Sequence, residues 1–231
     1  MGAIKACVFD AYGTLFDVNA AARDVAAQPG KEVFSLVWQQ VAQDWRAKTL
    51  QYTWLREIGG AYVDFWQITE DALDWALAAA DQTEPELRAE LLGLFWTLKA
   101  YPEVADVLTA LVGRGVRAAI LSNGTPRMLA AAVKSAGIED TLDAVLSVDA
   151  IGRFKPASEV YALVEENLGY APADVLFVSS NGWDVAGAAA FGFDTLWVNR
   201  AGEPVDRLPG RPGAIAADLR ALPDIVAERV A

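Results

Sequence analysis

Residues 4–15 read IKACVFDAYGTL, a short apolar run that ends in an aspartate, a glycine and a threonine. The run Ile4–Phe9 predicts a buried β-strand. A carboxylate at the end of such a strand is costly unless it is hydrogen-bonded or paired, and Gly13 and Thr14 supply a tight turn and a hydroxyl. Asp10 is therefore a candidate functional residue, although a turn or helix-cap aspartate is the commoner role of this residue type taken alone.

Helical patterns separate four further apolar runs of the same character. One predicted helix begins behind Pro102 and stops at Gly113, and another begins at Pro156 and closes at Gly169. The further strand candidates are Val116–Leu121, Val145–Val148, Val175–Val178 and Thr195–Val198. This alternation predicts an α/β fold with a doubly wound parallel sheet.

The interval between the first and second strands breaks this alternation. Residues 16–99 carry no strand signal but contain three helical stretches, Val33–Arg56, Thr69–Ala80 and Glu84–Leu98. A connection of this length predicts a small helical domain inserted into the sheet. We therefore expect a discontinuous core of residues 1–15 and 100–231 and a helical cap of residues 16–99.

Composition limits the chemistry that is open to the chain. Hydrophobic residues make up 54% of the 231 residues, which excludes a disordered protein, and the net charge of −12 disfavours nucleic acids and anionic membrane surfaces as partners. The single cysteine, Cys7, allows no intrachain disulfide, and we expect a cytoplasmic protein. The chain has no histidine, so carboxylates, lysine, tyrosine and hydroxyls must carry any catalysis.

Small polar clusters follow the predicted strands. They are DAYGT at 10–14, SNGT at 122–125 and SSNGWD at 179–184, with RFKP at 153–156 a few residues beyond its strand. Because the carboxyl ends of parallel strands meet at one edge of a sheet, these loops are expected to converge on one crevice. Lys155 is the cation expected beside Asp10, where it would keep the carboxylate ionised and nucleophilic.

The segments FDAYGTL at 9–15, LSNG at 121–124, FKP at 154–156 and SSNGWD at 179–184 resemble the motifs of the haloacid dehalogenase superfamily. Most members of that superfamily are magnesium-dependent phosphatases with a second aspartate where Tyr12 stands here and another acid where Ser180 stands. The loss of both acids largely dismantles the metal site. These substitutions, with Trp45-Arg46 and LQYTWLR at 50–56, resemble the L-2-haloacid dehalogenase branch.

The resemblance implies a Rossmann-like core with a helical cap and an activity without a metal or other cofactor. Short L-2-haloalkanoic acids would be hydrolysed to D-2-hydroxy acids and halide through an ester on Asp10, which water then cleaves. Members of this branch are commonly homodimers, so the expected partners are the haloacid substrate, the halide product and a second copy of the chain.

Roles for individual residues follow from the resemblance as hypotheses. Lys155 would pair with Asp10, helped by Thr14 and Ser179, and Tyr161 could support Lys155 or the substrate. Asn181 and Asp184 would orient the hydrolytic water, with Asp184 as the base. The predicted catalytic residues are Asp10, Thr14, Lys155, Tyr161, Ser179, Asn181 and Asp184.

A second group is expected to bind the substrate. Ser122 would hold its carboxylate together with backbone N–H groups. Arg46 and the Asn123 amide would receive the departing halide, and an apolar wall would surround the alkyl group. The predicted binding residues are Ala11, Tyr12, Arg46, Phe65, Ser122, Asn123 and Trp183.

Simpler roles compete with these assignments. Without the resemblance, Arg46 is expected to be a solvated surface residue, Phe65 and Trp183 core aromatics, and Asp184 a favourable charge at a helix N-terminus. Two other functions also stay open: a capped magnesium-dependent phosphatase of the same superfamily, and a catalytically inactive binding protein on this fold.

Overall fold

The sheet has six strands, all parallel, in a computed structural model that describes residues 3–230. The strand order is β3-β2-β1-β4-β5-β6, so β1 lies between β2 and β4. The strands are β1 (Ala6–Phe9), β2 (Arg117–Ser122), β3 (Ala144–Ser147), β4 (Val175–Ser179), β5 (Asp194–Val198) and β6 (Ala214–Ala216). This parallel sheet confirms the predicted fold class.

Apolar side chains alternate across both faces of β1. Cys7 and Phe9 belong to one buried cluster and Val8 belongs to the other, as the two-residue period of a strand requires. Helices cover each face and complete the two clusters. The core helices are α6 (Val104–Gly113), α7 (Pro126–Ala136), α8 (Ser158–Leu168), α9 (Gly182–Phe191) and α10 (Leu222–Val230).

Of the helices that the structure describes between β1 and β2, the first five form the helical cap, and α6 belongs to the core. The cap helices are α1 (Ala20–Ala26), α2 (Glu32–Ser35), α3 (Trp38–Gly59), α4 (Phe65–Ala79) and α5 (Pro85–Phe95). The cap has its own buried cluster, which includes Val41, Trp45, Leu73 and Leu91. None of the helices within residues 3–230 combines the length and the apolar content needed to cross a lipid bilayer.

The two connections to the cap run side by side. The Asp17 N–H donates to the Lys99 carbonyl at 2.9 Å, and the Tyr101 N–H donates to the Leu15 carbonyl at 2.9 Å. Phe16 forms a bridge with Ala100 in the same place. The division into a core of 1–15 and 100–231 and a cap of 16–99 stays a prediction, and these bonds lie where that division was expected.

The structure differs from the expected elements in several places. The predicted helix Val33–Arg56 is wrong as a single element, because α2 ends at Ser35 and α3 begins at Trp38. The Ser35 hydroxyl donates to the Glu32 carbonyl at 2.7 Å, a local bond that competes with helix continuation. The short elements α1 and β6 were not predicted, because their sequences show no periodic pattern of apolar residues. The bounds of the other strands and helices differ from the predicted ones by a few residues.

The buried cluster of the cap predicts a large difference between two leucine substitutions. Leu91→Ala removes a side chain that is fully buried, so it should lower the free energy of unfolding by about 2–5 kcal/mol. Leu36→Ala is the matched control, because Leu36 is 84% exposed and the change should stay within about 0.5 kcal/mol. Urea unfolding measures both, and equal midpoints for the two variants would contradict this packing.

Candidate active site

Asp10 lies at the carboxyl end of β1, and three side chains hold its carboxylate. Oδ1 accepts from Lys155 Nζ at 3.1 Å. Oδ2 accepts from Thr14 Oγ1 at 2.9 Å and from Asn181 Nδ2 at 3.0 Å. The three donors come from the loop after β1, the segment before α8 and the loop after β4, so the parallel sheet brings them together as expected. The carboxylate is thereby fixed in orientation at a largely buried position.

Lys155 lies between two carboxylates. Its Nζ is 3.1 Å from Asp10 Oδ1 and 2.9 Å from Asp184 Oδ2, and its side chain is 1% exposed. Burial lowers the pKa of Lys155, but the charges and hydrogen bonds of Asp10 and Asp184 raise it, and the net pKa lies above its usual value. The lysine is therefore a charged ammonium at neutral pH.

Asp184 and Tyr161 form a second layer behind this lysine. The Tyr161 hydroxyl donates to Asp184 Oδ1 at 2.8 Å. Burial raises the pKa of the Asp184 carboxyl, and the nearby Asp10 charge adds to that rise, while Lys155 opposes it. Burial, followed by the Asp184 charge, holds the pKa of Tyr161 well above its usual value, so Tyr161 acts as a neutral donor.

The residues around Asp10 do not fit a magnesium ion. A divalent cation between Asp10 and Asp184 would have to displace the Lys155 ammonium, which already bonds to both carboxylates. Asp10 and Asp184 both bond to Lys155, and Tyr12 and Ser180 add no further carboxylate that could hold the ion. Within residues 3–230, no three His, Cys, Asp or Glu side chains are grouped closely enough to hold a metal.

Arg46 reaches the site from α3 of the cap. Its Nη2 donates to Asn181 Oδ1 at 2.7 Å, and the other end of the same amide donates to Asp10. Gly13 makes room for the guanidinium, because a Cβ at this position, where φ is +88°, would lie 2.9 Å from Arg46 Nη1. The solvated-surface alternative for Arg46 is therefore wrong.

A cavity of about 70 Å³ lies between the cap and the carboxyl edge of the sheet. The polar part of its wall includes Asp10, Arg46, Ser122, Asn123, Lys155 and Asn181. The aromatic part contains Tyr12, whose ring stacks on Phe65 at 5.7 Å and on Phe95 at 5.5 Å between centroids. The cavity is thus small, with the buried Asp10–Lys155 ion pair on one side and aromatic side chains on the other.

The loop after β2 fits closely around Tyr12. A Cβ at Gly124 would lie 2.7 Å from the Tyr12 ring, so only glycine allows this approach. The Ser122 hydroxyl accepts from the Gly124 N–H at 3.1 Å, and the Asn123 side chain accepts from the Lys155 backbone N–H at 3.0 Å. These bonds fix the polar side chains that line the cavity next to Asp10.

The structure brings nine of the predicted site residues to the cavity wall. They are Asp10, Tyr12, Arg46, Phe65, Ser122, Asn123, Lys155, Asn181 and Trp183. The other five do not line that cavity: Ala11 is fully buried, and Thr14, Tyr161, Ser179 and Asp184 lie behind the wall.

Three of these positions differ from the expected contacts. Tyr161 bonds to Asp184 rather than to Lys155 or to a group in the cavity. The Ser179 hydroxyl accepts from the Asn181 N–H at 3.1 Å, and among the described residues it bonds to neither Asp10 nor Lys155. Asp184 is fully buried behind the lysine, so it does not meet a water at the cavity wall directly.

The sequence-based hypotheses also missed part of the wall. The helical period starting from Arg46 would have found Ala42, Thr49 and Leu50, which lie on the same face of α3. Val18 lies three residues after the motif at 9–15, whereas Phe95 lies far from the quoted motifs and reaches the cavity through the packing of the cap.

Comparisons with known proteins agree with this geometry. The model of the haloacid dehalogenase-like hydrolase family matches residues 4–192. An (S)-2-haloacid dehalogenase of Xanthobacter autotrophicus is 47% identical over 85% of this chain and 76% of its own length. (S)-2-haloacid dehalogenase 1 of Pseudomonas sp. (strain CBS-3) is 43% identical over 88% of each chain.

A solved structure of L-2-haloacid dehalogenase from Xanthobacter autotrophicus has chloropropionic acid covalently bound. Its fold superposes on this one with a TM-score of 0.85 and 40% identity, covering 97% of this chain and 98% of that one. On this evidence, the chain belongs to the haloacid dehalogenase-like hydrolase family.

Proposed function

We propose that the protein is an (S)-2-haloacid dehalogenase that hydrolyses short L-2-haloalkanoic acids to D-2-hydroxy acids and halide without a metal ion. The observation that carries the proposal is the Asp10 carboxylate, fixed by Lys155, Thr14 and Asn181 at the wall of a small, partly aromatic cavity. The names of the relatives at 43% and 47% identity support the same reaction.

In the first step, an Asp10 oxygen attacks the α-carbon of the haloacid. A carbon–oxygen bond forms, the carbon–halogen bond breaks, and its electron pair leaves with the halide. In-line attack inverts the α-carbon, which converts the L substrate into a D product. Arg46 is the cation of the cap that lines the cavity, so it is placed to stabilise the negative charge that develops on the halogen.

The substrate carboxylate requires its own partners because the chain as a whole is acidic. Ser122 and Asn123 lie in the cavity wall at the end of β2. We assign the substrate carboxylate to the Ser122 hydroxyl and to backbone N–H groups around Ala11, Tyr12 and Asn123. The rings of Tyr12, Phe65 and Trp183 would then enclose the alkyl group.

In the second step, water attacks the carbonyl carbon of the Asp10 ester. The acyl carbon–oxygen bond breaks, the 2-hydroxy acid leaves, and one water oxygen remains in the Asp10 carboxylate. The full reaction releases one halide and one proton. Asp184 has a raised pKa and bonds to Lys155, so we assign it the role of accepting a proton through the lysine.

The same geometry disfavours a capped phosphatase. Phosphoryl transfer of this class depends on magnesium to neutralise charge, and Tyr12 and Ser180 stand where two acids would help to hold that ion. A catalytically inactive binding protein is disfavoured because it would have no need for a buried carboxylate held by three donors.

Replacing Asp10 by Asn should abolish turnover while leaving the fold intact. The amide cannot form the ester, so we expect halide release from L-2-chloropropionate to fall by about 10³-fold or more. Asp140→Asn, at an exposed position, is the matched control and should release halide normally. Retained halide release by Asp10→Asn would rule out Asp10 as the nucleophile.

Chelation separates the two catalytic alternatives. Halide release should be unchanged by EDTA, because Tyr12 and Ser180 stand where two acids would help to hold a magnesium ion. Hydrolysis of p-nitrophenyl phosphate, with and without magnesium, is the parallel assay. Chelator-sensitive phosphatase activity without halide release would favour the phosphatase.

A single turnover in ¹⁸O-labelled water tests the ester directly. With enzyme in excess over substrate, one ¹⁸O atom should enter the peptide that contains Asp10, because water attacks the Asp10 carbonyl carbon. Mass spectrometry of the digested protein measures this label. Label that enters only the hydroxy acid in the first turnover would show that water attacks the substrate instead.

We also propose a cytoplasmic homodimer. Burial raises the pKa of Cys7 to about 12, and a single buried thiol is compatible with a reducing compartment.

Leu55 and Ile58 on α3 and Trp75 on α4 are exposed on two helices that pack together, and they offer an apolar surface to a second copy. Sedimentation equilibrium should give twice the chain mass, and Ile58→Glu should shift the protein towards monomer.

A further inference from the structure

One face of α3 makes successive contacts with the core. Arg46 bonds to Asn181, and the Trp54 ring meets the Trp183 ring edge-on at 5.4 Å between centroids. Glu57 is 11 residues beyond Arg46, which is three helical turns, so the two side chains share this face about 16 Å apart. Glu57 is therefore placed to contact the core at the opposite end of the helix from the cavity.

The Glu57 carboxylate binds the segment directly before Lys155. Its Oε1 accepts from Arg153 Nε, and its Oε2 accepts from the backbone N–H of Phe154 at 2.8 Å. Arg153 also donates to Glu159 at 2.9 Å, but Glu159 has no bond to the Phe154 backbone among the described residues. The Glu57 side chain is 16% exposed, so these charge-assisted bonds are partly shielded from water.

The segment that Glu57 binds is held from both sides. Tyr62, which follows α3, stacks on the buried Phe154 ring at 4.8 Å between centroids. On the core side, the Lys155 N–H donates to the Asn123 side chain at 3.0 Å. Lys155 thus enters the site from a backbone that the cap and the core fix together.

We propose that Glu57 is a positioning residue that fixes the backbone before Lys155 and so sets the distance between Lys155 Nζ and Asp10. This inference rests on the proposed function, in which Lys155 acts on Asp10 during ester formation and hydrolysis. Reacting groups must be placed to a fraction of an ångström, and a displacement of about 1 Å can cost about 100-fold in rate. Because Glu57 belongs to the cap, the position of Lys155 relative to Asp10 also depends on how the cap packs against the core.

Three variants test this role in the full-length protein. Glu57→Ala removes both bonds, Glu57→Gln keeps one oxygen for the Phe154 N–H, and Glu159→Gln is the matched control on the other side of Arg153. The measurements are kcat and KM for halide release, the single-turnover rate of ester formation, and amide hydrogen exchange at Phe154. Urea unfolding checks that each variant is folded.

We expect Glu57→Ala to lower kcat and the single-turnover rate about tenfold or more while KM changes less than twofold, because the residues that bind substrate are untouched. Glu57→Gln should recover part of the rate, and Glu159→Gln should match the wild type. The Phe154 amide should exchange faster only in Glu57→Ala. This combination separates positioning from a general loss of stability.

Other results would overturn the inference. Wild-type kcat in Glu57→Ala, an equal loss in Glu159→Gln, or unchanged exchange at Phe154 would each do so. If Glu57→Ala is unfolded, Glu57→Gln decides: a reduced kcat at wild-type KM and stability supports the role, and a wild-type kcat refutes it. Failure of the wild type to release halide would instead overturn the proposed function, and the inference with it.

Discussion

Lys155 carries its positive charge inside the protein, between the carboxylates of Asp10 and Asp184. Two buried carboxylates this close would repel each other, and a buried ammonium without partners would be costly, so each charge is tolerated only because the others are present. Removing the lysine would leave both buried carboxylates without their cation, and breaking a buried pair in this way typically costs about 3–5 kcal/mol. The tyrosine and amide donors around this group follow from the same need, since they satisfy the remaining oxygen atoms.

The parallel sheet is what allows this charge group to form from distant parts of the chain. Asp10 follows β1, and β4, its neighbour, ends at Ser179, two residues before Asn181. The lysine comes from a third segment, and its backbone is tied to the loop after β2 through Asn123. The cap completes the site by bringing Arg46 to Asn181, so that the guanidinium and the Asp10 carboxylate share one amide. If β1 did not lie between β2 and β4, then Asp10, Asn181 and Lys155 would not meet.

The sequence was most informative where short-range rules decide the structure. Apolar runs of strand length, glycine stops and polar residues at strand ends were enough to predict the core, and Asp10 and Lys155 do meet as expected. The predictions failed where a side-chain hydrogen bond or a tertiary contact overrides the periodic pattern. The break between α2 and α3 depends on a local serine bond, and the burial of Asp184 behind Lys155 depends on how α8 and α9 pack. Phe95 reaches the cavity because the cap folds over Tyr12, and no sequence motif marks this residue.

The side chains of Tyr12 and Ser180, which stand where two acids are expected in a phosphatase, have a consequence for the chemistry that this site can support. A phosphoryl group brings two or more negative charges next to a nucleophilic carboxylate, and one lysine together with Arg46 offers only two positive charges against Asp10 and Asp184. A 2-haloacid brings one negative charge, and its leaving group becomes an anion only as the bond breaks. The charge available therefore matches an attack on carbon, in which, in the proposed reaction, Arg46 stabilises the departing halide and Lys155 pairs with Asp10. The fold common to both reactions thus leaves the choice between them to a few side chains around Asp10.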